Sequence, residues 1–278
     1  MTLPTLTLND GHSIPTLGFG TYPLRGEPGV VAIRTAIDAG NRLLDTAFNY
    51  DNEGAVGRAI AASGVPREEF YVTSKLPGRY HPYEAATNAI RESTWRLGLE
   101  YLDLYLIHWP NPIEGKYVEA WQALVDAREA GIVRSIGVSN FTLEHLSAIE
   151  AATGVRPAVN QIELHPYFPQ EEQLAAHKEL GIVTEAWSPI GKGSAVREEP
   201  VIQELAARHG VSPTQLILRW HVQRGVIPIP KSANAQRQAE NLDVFGFELS
   251  DDDVAAITAL GRPDGRLFDG DPNHHQEM

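Results

Sequence analysis

The sequence predicts a closed parallel (β/α)8 TIM barrel with an N-terminal β-hairpin, and three observations favour this architecture. Eight short apolar runs alternate with helical patterns along 278 residues, and a barrel of this kind takes roughly 250 residues. Several runs are apolar throughout, as strands covered on both faces are. The GxGxxG sequence typical of an open doubly wound sheet is incomplete both at 18–20 and at 191–193. We therefore expect one barrel domain over residues 1–278.

The strands follow in order from the amino terminus. Residues 5–15, TLTLNDGHSIP, alternate apolar and polar side chains around Asn9-Asp10-Gly11, which is typical of a hairpin with a glycine-containing turn. The apolar runs after this hairpin are the predicted barrel strands: 17–20, 42–45, 70–74, 102–107, 132–138, 158–162, 182–187 and 226–229.

The helices between the strands carry recognisable start signals. Residues 83–97 place apolar side chains on one helical stripe. Ser212, followed by Pro213 and then Gln215, predicts an N-cap, a first-turn proline and a capping glutamine. Ser250 precedes three aspartates, whose charges suit the positive end of a helix dipole.

Composition restricts the function. The net charge of -13 argues against nucleic acid and anionic membranes as partners. The absence of cysteine excludes disulfides, thiol catalysis and cysteine metal sites. The N-terminal segment has no signal-peptide pattern and no apolar run is long enough to span a membrane. We therefore expect a cytoplasmic protein.

Each predicted strand passes into polar or aromatic residues at its carboxyl end, where barrel enzymes place their active sites. These residues form a candidate ring around the barrel mouth: Thr21 and Tyr22, Asp45 and Tyr50, Lys75, His108 and Trp109, Ser139 and Asn140, Gln161, Trp187 and Ser188, and Lys231 and Ser232. Eight such strand ends together favour a functional ring over eight unrelated caps.

Four members of this ring could act as an acid–base device, although each has a structural explanation when taken alone. Asp45 could cap a helix or join an ion pair, and Tyr50 could be a packed aromatic. Lys75 could be a solvated strand end, and His108 a hydrogen-bonded core histidine. Together, the ammonium is expected to lower the pKa of the phenol, and the carboxylate to keep the ammonium charged. Such a phenol can donate a proton to a carbonyl oxygen.

The chain resembles the aldo-keto reductases over nearly its whole length. The resemblance is carried by LGFGTY (17–22), LLDTAFNYDNEGAVGRAI (43–60), VTSKL (72–76), YLDLYLIHWP (101–110), GIVRSIGVSNF (131–141), PAVNQIELHP (157–166), EAWSPIGKG (185–193) and IPIPKSANAQRQAENLDVF (227–245). It is strongest to the bacterial branch that contains 2,5-diketo-D-gluconic acid reductases. It implies a monomer that reduces a small-molecule aldehyde or ketone with NADPH.

The resemblance also implies roles for individual residues. Tyr50 would be the general acid, tuned by Lys75 and Asp45, and His108 would orient the carbonyl. Ser139, Asn140 and Gln161 would hold the carboxamide of the nicotinamide, and Trp187 would stack on its ring. Lys231, Ser232 and Arg237 would bind the 2′-phosphate. The cofactor-binding set is Gly20, Thr21, Tyr22, Ser139, Asn140, Gln161, Trp187, Ser188, Pro189, Ile190, Gly191, Lys231, Ser232, Arg237, Glu240 and Asn241, with Lys192 a possible helper. A surface pair at a helix start is the alternative for Lys231 and Arg237.

The sequence departs from the family pattern at three positions. Relatives usually have Tyr or Phe at position 187, a further basic residue near position 234, and often Trp at position 77. Here these are Trp187, Asn234 and Pro77. We expect Trp187 to keep the stacking role, the preference for NADPH to be less strict, and one pocket wall to be altered.

The substrate pocket is predicted to be aromatic, with walls formed by Tyr22, Phe48, Trp109 and Phe268. The tail that contains Phe268 is rich in Gly and Pro, which is compatible with either a lid or a disordered terminus. His274-His275 has no partner cluster with ligand spacing, so no metal site is expected.

Two other functions compete with carbonyl reduction. The first is a catalytically idle, NADPH-binding regulatory barrel, which the presence of all four acid–base residues disfavours. The second is a phosphate-sugar isomerase, which would need a phosphate-binding glycine loop near the last strands. VIPIPKS (226–232) has no glycine there.

Overall fold

The computed structural model describes residues 3–268 and 270–278, and a barrel of eight parallel strands forms its centre. The strands pair in sequence order, each with the next. Their bounds are β3 (Gly18–Gly20), β4 (Leu43–Asp45), β5 (Tyr71–Leu76), β6 (Leu102–Ile107), β7 (Val133–Ser139), β8 (Val159–Glu163), β9 (Val183–Trp187) and β10 (Val226–Pro228). All eight predicted barrel strands are confirmed, with ends shifted by only one or two residues.

The predicted N-terminal hairpin is also confirmed. Strands β1 (Thr5–Thr7) and β2 (Ser13–Pro15) pair antiparallel, with Leu6 opposite Ile14. The turn between them uses Gly11 at φ +90°, a conformation that glycine adopts without strain. Ile14 is fully buried in the same apolar cluster as Leu43 and Leu104 of the barrel interior. The hairpin therefore covers the end of the barrel opposite the predicted site.

Helices surround the barrel. Their bounds are α1 (Gly26–Asp38), α2 (Glu53–Ser63), α3 (Tyr83–Leu97), α4 (Tyr117–Glu129), α5 (Leu143–Thr153), α6 (Glu171–Leu180), α7 (Pro200–His209), α8 (Pro213–Gln223), α9 (Ala235–Leu242) and α10 (Asp251–Thr258). Shorter 3₁₀ turns lie at Phe48–Tyr50, Arg67–Glu69, Gly78–Tyr80 and Val196–Glu198. Two helices, α7 and α8, connect β9 to β10, where one helix per strand was expected.

The predicted helix starts have the expected chemistry. The helix over 83–97 has the predicted bounds. Ser212 and Gln215 form a reciprocal capping box at the start of α8, and Ser250 and Asp253 form another at α10. Each box satisfies two backbone N–H groups that the first turn leaves without partners.

The barrel closes between β3 and β10, where the N–H of Gly20 donates to the carbonyl of Pro230 at 3.1 Å. A Cβ at Gly20 would lie 3.1 Å from the carbonyl oxygen of Ile229, so glycine allows this close approach. Because side chains alternate along a strand, every second residue points inward. Near the carboxyl ends these include Asp45, Lys75 and Gln161, which brings side chains distant in sequence to one mouth. None of the helices in the described part of the chain has the length and apolar character that a membrane span requires.

Candidate active site

A cavity of about 740 Å³ opens at the carboxyl ends of the barrel strands. Its walls come from many of the predicted strand ends. The described residues that line it are Gly20, Thr21, Tyr22, Pro23, Asp45, Tyr50, His108, Trp109, Asn140, Gln161, Trp187, Ser188, Pro189, Ile190, Lys192, Ile229, Pro230, Lys231 and Phe268. The predicted ring is therefore largely one continuous surface.

Lys75 and Asp45 form a buried ion pair below the cavity floor. The Lys75 Nζ donates to both carboxylate oxygens of Asp45 at 2.7 Å and to the carbonyl of Thr46 at 2.8 Å. The Lys75 side chain is fully buried. Burial acts to lower the pKa of Lys75, but Asp45 and Tyr50 reverse the shift, and its pKa is raised overall. The amine is therefore a charged ammonium despite its dry surroundings.

Tyr50 ends a 3₁₀ turn directly above this pair. Its ring lies 5.1 Å from the Lys75 Nζ and 5.6 Å from the ring of His108. Burial raises the pKa of Tyr50 to about 12, although the Lys75 charge acts to lower it. The expectation that the phenol would have a lowered pKa is therefore wrong for this structure, because desolvation outweighs the ammonium. The phenol carries its proton at neutral pH, as a proton donor must.

Gln161 connects the Asp45–Lys75 pair to a second buried carboxylate, Glu185. The Gln161 Nε2 donates to Asp45 Oδ2 and to Glu185 Oε2, both at 2.9 Å. Since both amide hydrogens are committed to carboxylates, the Gln161 carbonyl oxygen remains for the cavity. Burial, followed by the Asp45 charge, raises the pKa of Glu185 to about 8. Glu185 is therefore mainly protonated at neutral pH, which leaves Asp45 and Lys75 as a balanced pair.

The predicted carboxamide-binding residues share one hydrogen-bond network. Asn140 has φ +63° and donates through Nδ2 to the His108 carbonyl and to Ser139 Oγ, both at 3.0 Å. Ser139 Oγ donates to the main-chain carbonyl of Gln161 at 2.7 Å. The Trp187 Nε1 donates to Asn140 Oδ1 at 2.8 Å. A Phe at position 187 could not make this last bond, so Trp187 supports the Asn140 side chain from the opposite wall.

The predicted phosphate-binding residues lie on the rim, where α9 begins. Lys231 and Arg237 are exposed, and no carboxylate of the described residues lies within ion-pair distance of either. Asn234 caps α9, since its Oδ1 accepts from the N–H of Arg237 at 3.0 Å. Ser232 Oγ accepts from the N–H of Asn234 at 3.1 Å. Asn234 thus has a structural role in shaping this rim.

The rest of the predicted cofactor set surrounds the same half of the cavity. Ser188, Pro189 and Ile190 line it, and Gly191 follows at φ +63°. Lys192 lies over the ring of Tyr22, with its Nζ 5.5 Å from the ring centroid. Glu240 and Asn241 lie on α9 and do not line the cavity.

Three of the four residues of the predicted aromatic pocket lie at the cavity. Tyr22, Trp109 and Phe268 line the cavity. Phe48 does not. It is buried on the helix side of the barrel, with its ring centroid 3.7 Å from the Arg96 guanidinium and 5.0 Å from the Tyr80 ring. The 3₁₀ turn that brings Tyr50 to the mouth rotates Phe48 away from it.

Several neighbours of the site lie outside the predicted set. Pro23, Ile229 and Pro230 line the cavity. Glu185 could have been recognised as an acidic residue at an inward position of IVTEAW. Glu277 contacts His108 at 2.7 Å, and nothing in the local sequence around it predicts this contact. His275 packs on Trp109, with ring centroids 4.1 Å apart.

The observed groups fit a phosphorylated dinucleotide. Lys231 and Arg237, beside the N-terminus of α9, are cationic donors suited to a phosphate. Trp187 offers an aromatic face at the cavity wall, and Gln161 offers an amide oxygen beside it. The cavity has room for both a cofactor ring and a small substrate.

This combination of a parallel barrel with a Tyr–Lys–Asp–His centre defines an oxidoreductase of the aldo-keto reductase type. The aldo/keto reductase family model matches residues 16–262, and the chain belongs to that family.

Individual relatives cover almost the whole chain. It is 57% identical over 276 residues to 2,5-diketo-D-gluconic acid reductase B of Corynebacterium sp. (strain SHS752001), covering 99% of each chain. A crystal structure of a Gox0644 mutant in complex with NADPH has a TM-score of 0.94 at 43% identity and covers 99% of this chain and 100% of that chain. A Bombyx mori aldo-keto reductase in complex with NADP has a TM-score of 0.90 at 39% identity, covering 97% and 96%.

Proposed function

We propose that this protein reduces an aldehyde or a ketone to the alcohol with NADPH, and that Tyr50 donates the proton. The observation that carries the proposal is the charged Lys75–Asp45 pair beneath a protonated phenol at the floor of an aromatic cavity. Bound NADPH would supply the hydride. The relatives named above support reductive chemistry and offer no support for the catalytically idle barrel.

The chain's own residues then have defined tasks. Tyr50 donates its hydroxyl proton to the carbonyl oxygen as negative charge develops there. Lys75 stabilises the phenolate that remains, and Asp45 keeps Lys75 charged and in place. His108 hydrogen-bonds the same oxygen and orients it. In alcohol oxidation the same phenolate would act as the base.

Cofactor recognition is divided between the mouth and the rim. Ser139, Asn140 and Gln161 would hold the carboxamide, and Trp187 would stack against the nicotinamide ring. Gly20, Thr21 and Tyr22 and the 188–191 loop would surround the sugar and pyrophosphate. Lys231, Ser232 and Arg237 would bind the 2′-phosphate, and Glu240 and Asn241 would face the adenine.

The substrate we propose is a small carbonyl compound bound between Tyr22, Trp109 and Phe268. The diketo acid in the name of the Corynebacterium relative makes keto acids the first class to test. We further propose a single barrel domain that acts as a cytoplasmic monomer, as the resemblance to the aldo-keto reductases implies.

The decisive experiment compares Tyr50→Phe with the native protein. NADPH consumption is followed with methylglyoxal, a nitrobenzaldehyde, a diketone and a sugar keto acid, with NADH in parallel. Tyr50→Phe should lose about 100- to 10,000-fold in turnover, the range of general acid catalysis, while NADPH binding measured by fluorescence is preserved. Tyr83→Phe is the matched control, because Tyr83 is an exposed phenol on α3 bonded to Asp126. Near-native turnover by Tyr50→Phe would refute the assignment.

A further inference from the structure

The segment 270–278, here named the C-terminal strap, runs past Trp109 at the cavity wall and reaches His108. It begins beside Trp109, where a Cβ on Gly270 would lie 3.1 Å from the indole ring. Arg266 Nη1 donates to the Gly270 carbonyl at 3.0 Å. His275 then packs on the Trp109 ring, and Glu277 follows.

Three separate segments specify the position of Glu277. Its N–H donates to Asn111 Oδ1 at 3.0 Å, and Asn111 Nδ2 donates back to its carbonyl at 2.6 Å. Asn49 Nδ2 donates to the Glu277 carboxylate at 2.8 Å. At Gly78 a Cβ would lie 2.3 Å from the Glu277 carbonyl oxygen, so only glycine leaves room for the strap. These contacts from three segments hold Glu277 in one position.

The Glu277 carboxylate is directed at His108 from the side away from the cavity. Glu277 Oε1 lies 2.7 Å from His108 Nδ1, which is within ion-pair distance, although the contact is not aligned as a hydrogen bond and Nδ1 is otherwise buried without a partner. His108 lines the cavity while Glu277 does not, which leaves Nε2 as the ring nitrogen that faces the substrate. Burial acts to raise the pKa of Glu277, but His108 and Asn49 lower it below its ordinary value. The carboxylate is therefore charged.

We propose that Glu277 is a positioning residue for reduction, which fixes the His108 ring with Nε2 toward the carbonyl oxygen and balances the charge of an imidazolium. This inference rests on the proposed function. A carboxylate beside Nδ1 keeps a hydrogen on that nitrogen. A neutral ring would then present only the Nε2 lone pair to the carbonyl oxygen. A lone pair cannot donate a hydrogen bond to that oxygen. With both nitrogens protonated, Nε2–H donates to the carbonyl oxygen, and Glu277 stabilises this form.

The other charged groups near Glu277 do not replace it in this role. His81 is neutral near pH 7, because burial lowers its pKa to about 4 although Glu277 acts to raise it. Arg79 is exposed and donates to Asn49 Oδ1 and to the Met278 carbonyl. Tyr50 keeps its proton, as described above. Among the described residues, Glu277 is therefore the carboxylate that lies within ion-pair distance of His108.

The test uses the full-length protein and Glu277→Gln, with Glu248→Gln as control because Glu248 is exposed beyond α9. We expect kcat for a carbonyl substrate to fall about 10- to 100-fold in Glu277→Gln, by comparison with the groups that orient metal-bound histidines. KM and NADPH binding should change little. The nitrogen chemical shifts of the His108 ring, assigned with a His108→Asn variant, should move away from those of an imidazolium. Glu277→Ala should regain part of its kcat with added formate but not with chloride.

Three results would overturn the inference. One is a native kcat together with unchanged His108 nitrogen shifts in Glu277→Gln. Another is a loss of kcat that formate does not restore and that leaves the shifts unchanged, since this would make the strap only structural. The third is that the nitrogen chemical shifts of the His108 ring keep their native values in every Glu277 variant. If the native protein reduces no carbonyl, the proposed function fails, but the nitrogen shifts still decide whether Glu277 controls His108.

Discussion

The floor of the cavity and the rim at α9 both depend on cationic side chains, but they hold them in opposite ways. Lys75 is fully buried and fully hydrogen-bonded, and its charge is matched by Asp45. Lys231 and Arg237 are exposed and have no carboxylate partner among the residues the structure describes. A buried charge interacts strongly with its neighbours, whereas an exposed charge is screened by solvent. The floor is therefore preorganised for chemistry, and the rim is suited to reversible binding of an anion.

The largest expected effect is at the floor, from Lys75→Met. We expect turnover to fall about 100- to 10,000-fold, since the phenol loses its stabilising charge. The free energy of unfolding should fall by about 3–5 kcal/mol, because the Asp45 charge is left buried without its cation. Lys178→Met, at an exposed position of α6, is the control for both measurements.

A double variant separates the two effects. Asp45→Asn combined with Lys75→Met removes both charges, so denaturant melts should show that much of the lost stability returns. Turnover should stay lost. If turnover returned with stability, Lys75 would be a structural residue, and the contrast between floor and rim would not hold.

At the rim, Arg237→Ala should weaken NADPH binding while leaving NADH binding almost unchanged. The lost charged hydrogen bond corresponds to about 1.5–3 kcal/mol, or roughly 10- to 150-fold in Kd. Fluorescence titration of both cofactors measures the difference, and Arg91→Ala on α3 is the control. Equal losses for both cofactors would remove the 2′-phosphate assignment. High salt should reduce the NADPH preference of the native protein, because the rim charges are screened.

The raised pKa of Glu185 can be tested by measuring the stability of the protein as a function of pH. The folded protein holds its proton until about pH 8, whereas the ordinary value is 4.5. Between these two pH values the folded state binds more protons than the unfolded chain, so this group makes the protein less stable as pH rises. The slope is at most about 1.4 kcal/mol per pH unit, and the cost is constant above pH 8.

Glu185→Gln removes this titration and keeps the shape. Relative to native protein, it should gain stability as pH increases from about 4.5 to 8, with Asp45, Lys75, Gln161 and Tyr71 as the surrounding groups. Thermal melts across this range measure the gain, and exposed Glu179→Gln should show no such trend. A constant difference at all pH values would mean that Glu185 titrates normally.

The smallest expected effect comes from Trp187→Phe. This variant keeps an aromatic face but loses the Nε1–H bond to Asn140, worth about 0.5–1.5 kcal/mol. Cofactor affinity should fall roughly 2- to 12-fold, for NADPH and NADH alike. A change confined to NADPH would show that position 187 affects the rim as well.

The strands and helix starts could be predicted from the sequence, because they depend on local periodicity. Apolar runs with turn signals identified all eight barrel strands, and Ser212 and Ser250 identified helix starts, because capping involves residues only three positions apart. The ring of strand-end residues was also predictable, since parallel strands in a barrel bring their carboxyl ends together. Phe48 was placed wrongly because a 3₁₀ turn changes side-chain direction within two residues.

What the sequence by itself determined was the barrel, the strand-end ring and the set of groups that can move a proton. The tertiary structure alone decided their electrostatics: desolvation makes the pKa of Tyr50 rise despite Lys75, and the apolar barrel interior keeps Glu185 protonated. It alone also brought Glu277 to His108, across 169 residues of chain. Charge interactions depend on distance and burial in space, and neither can be read from separation along the chain.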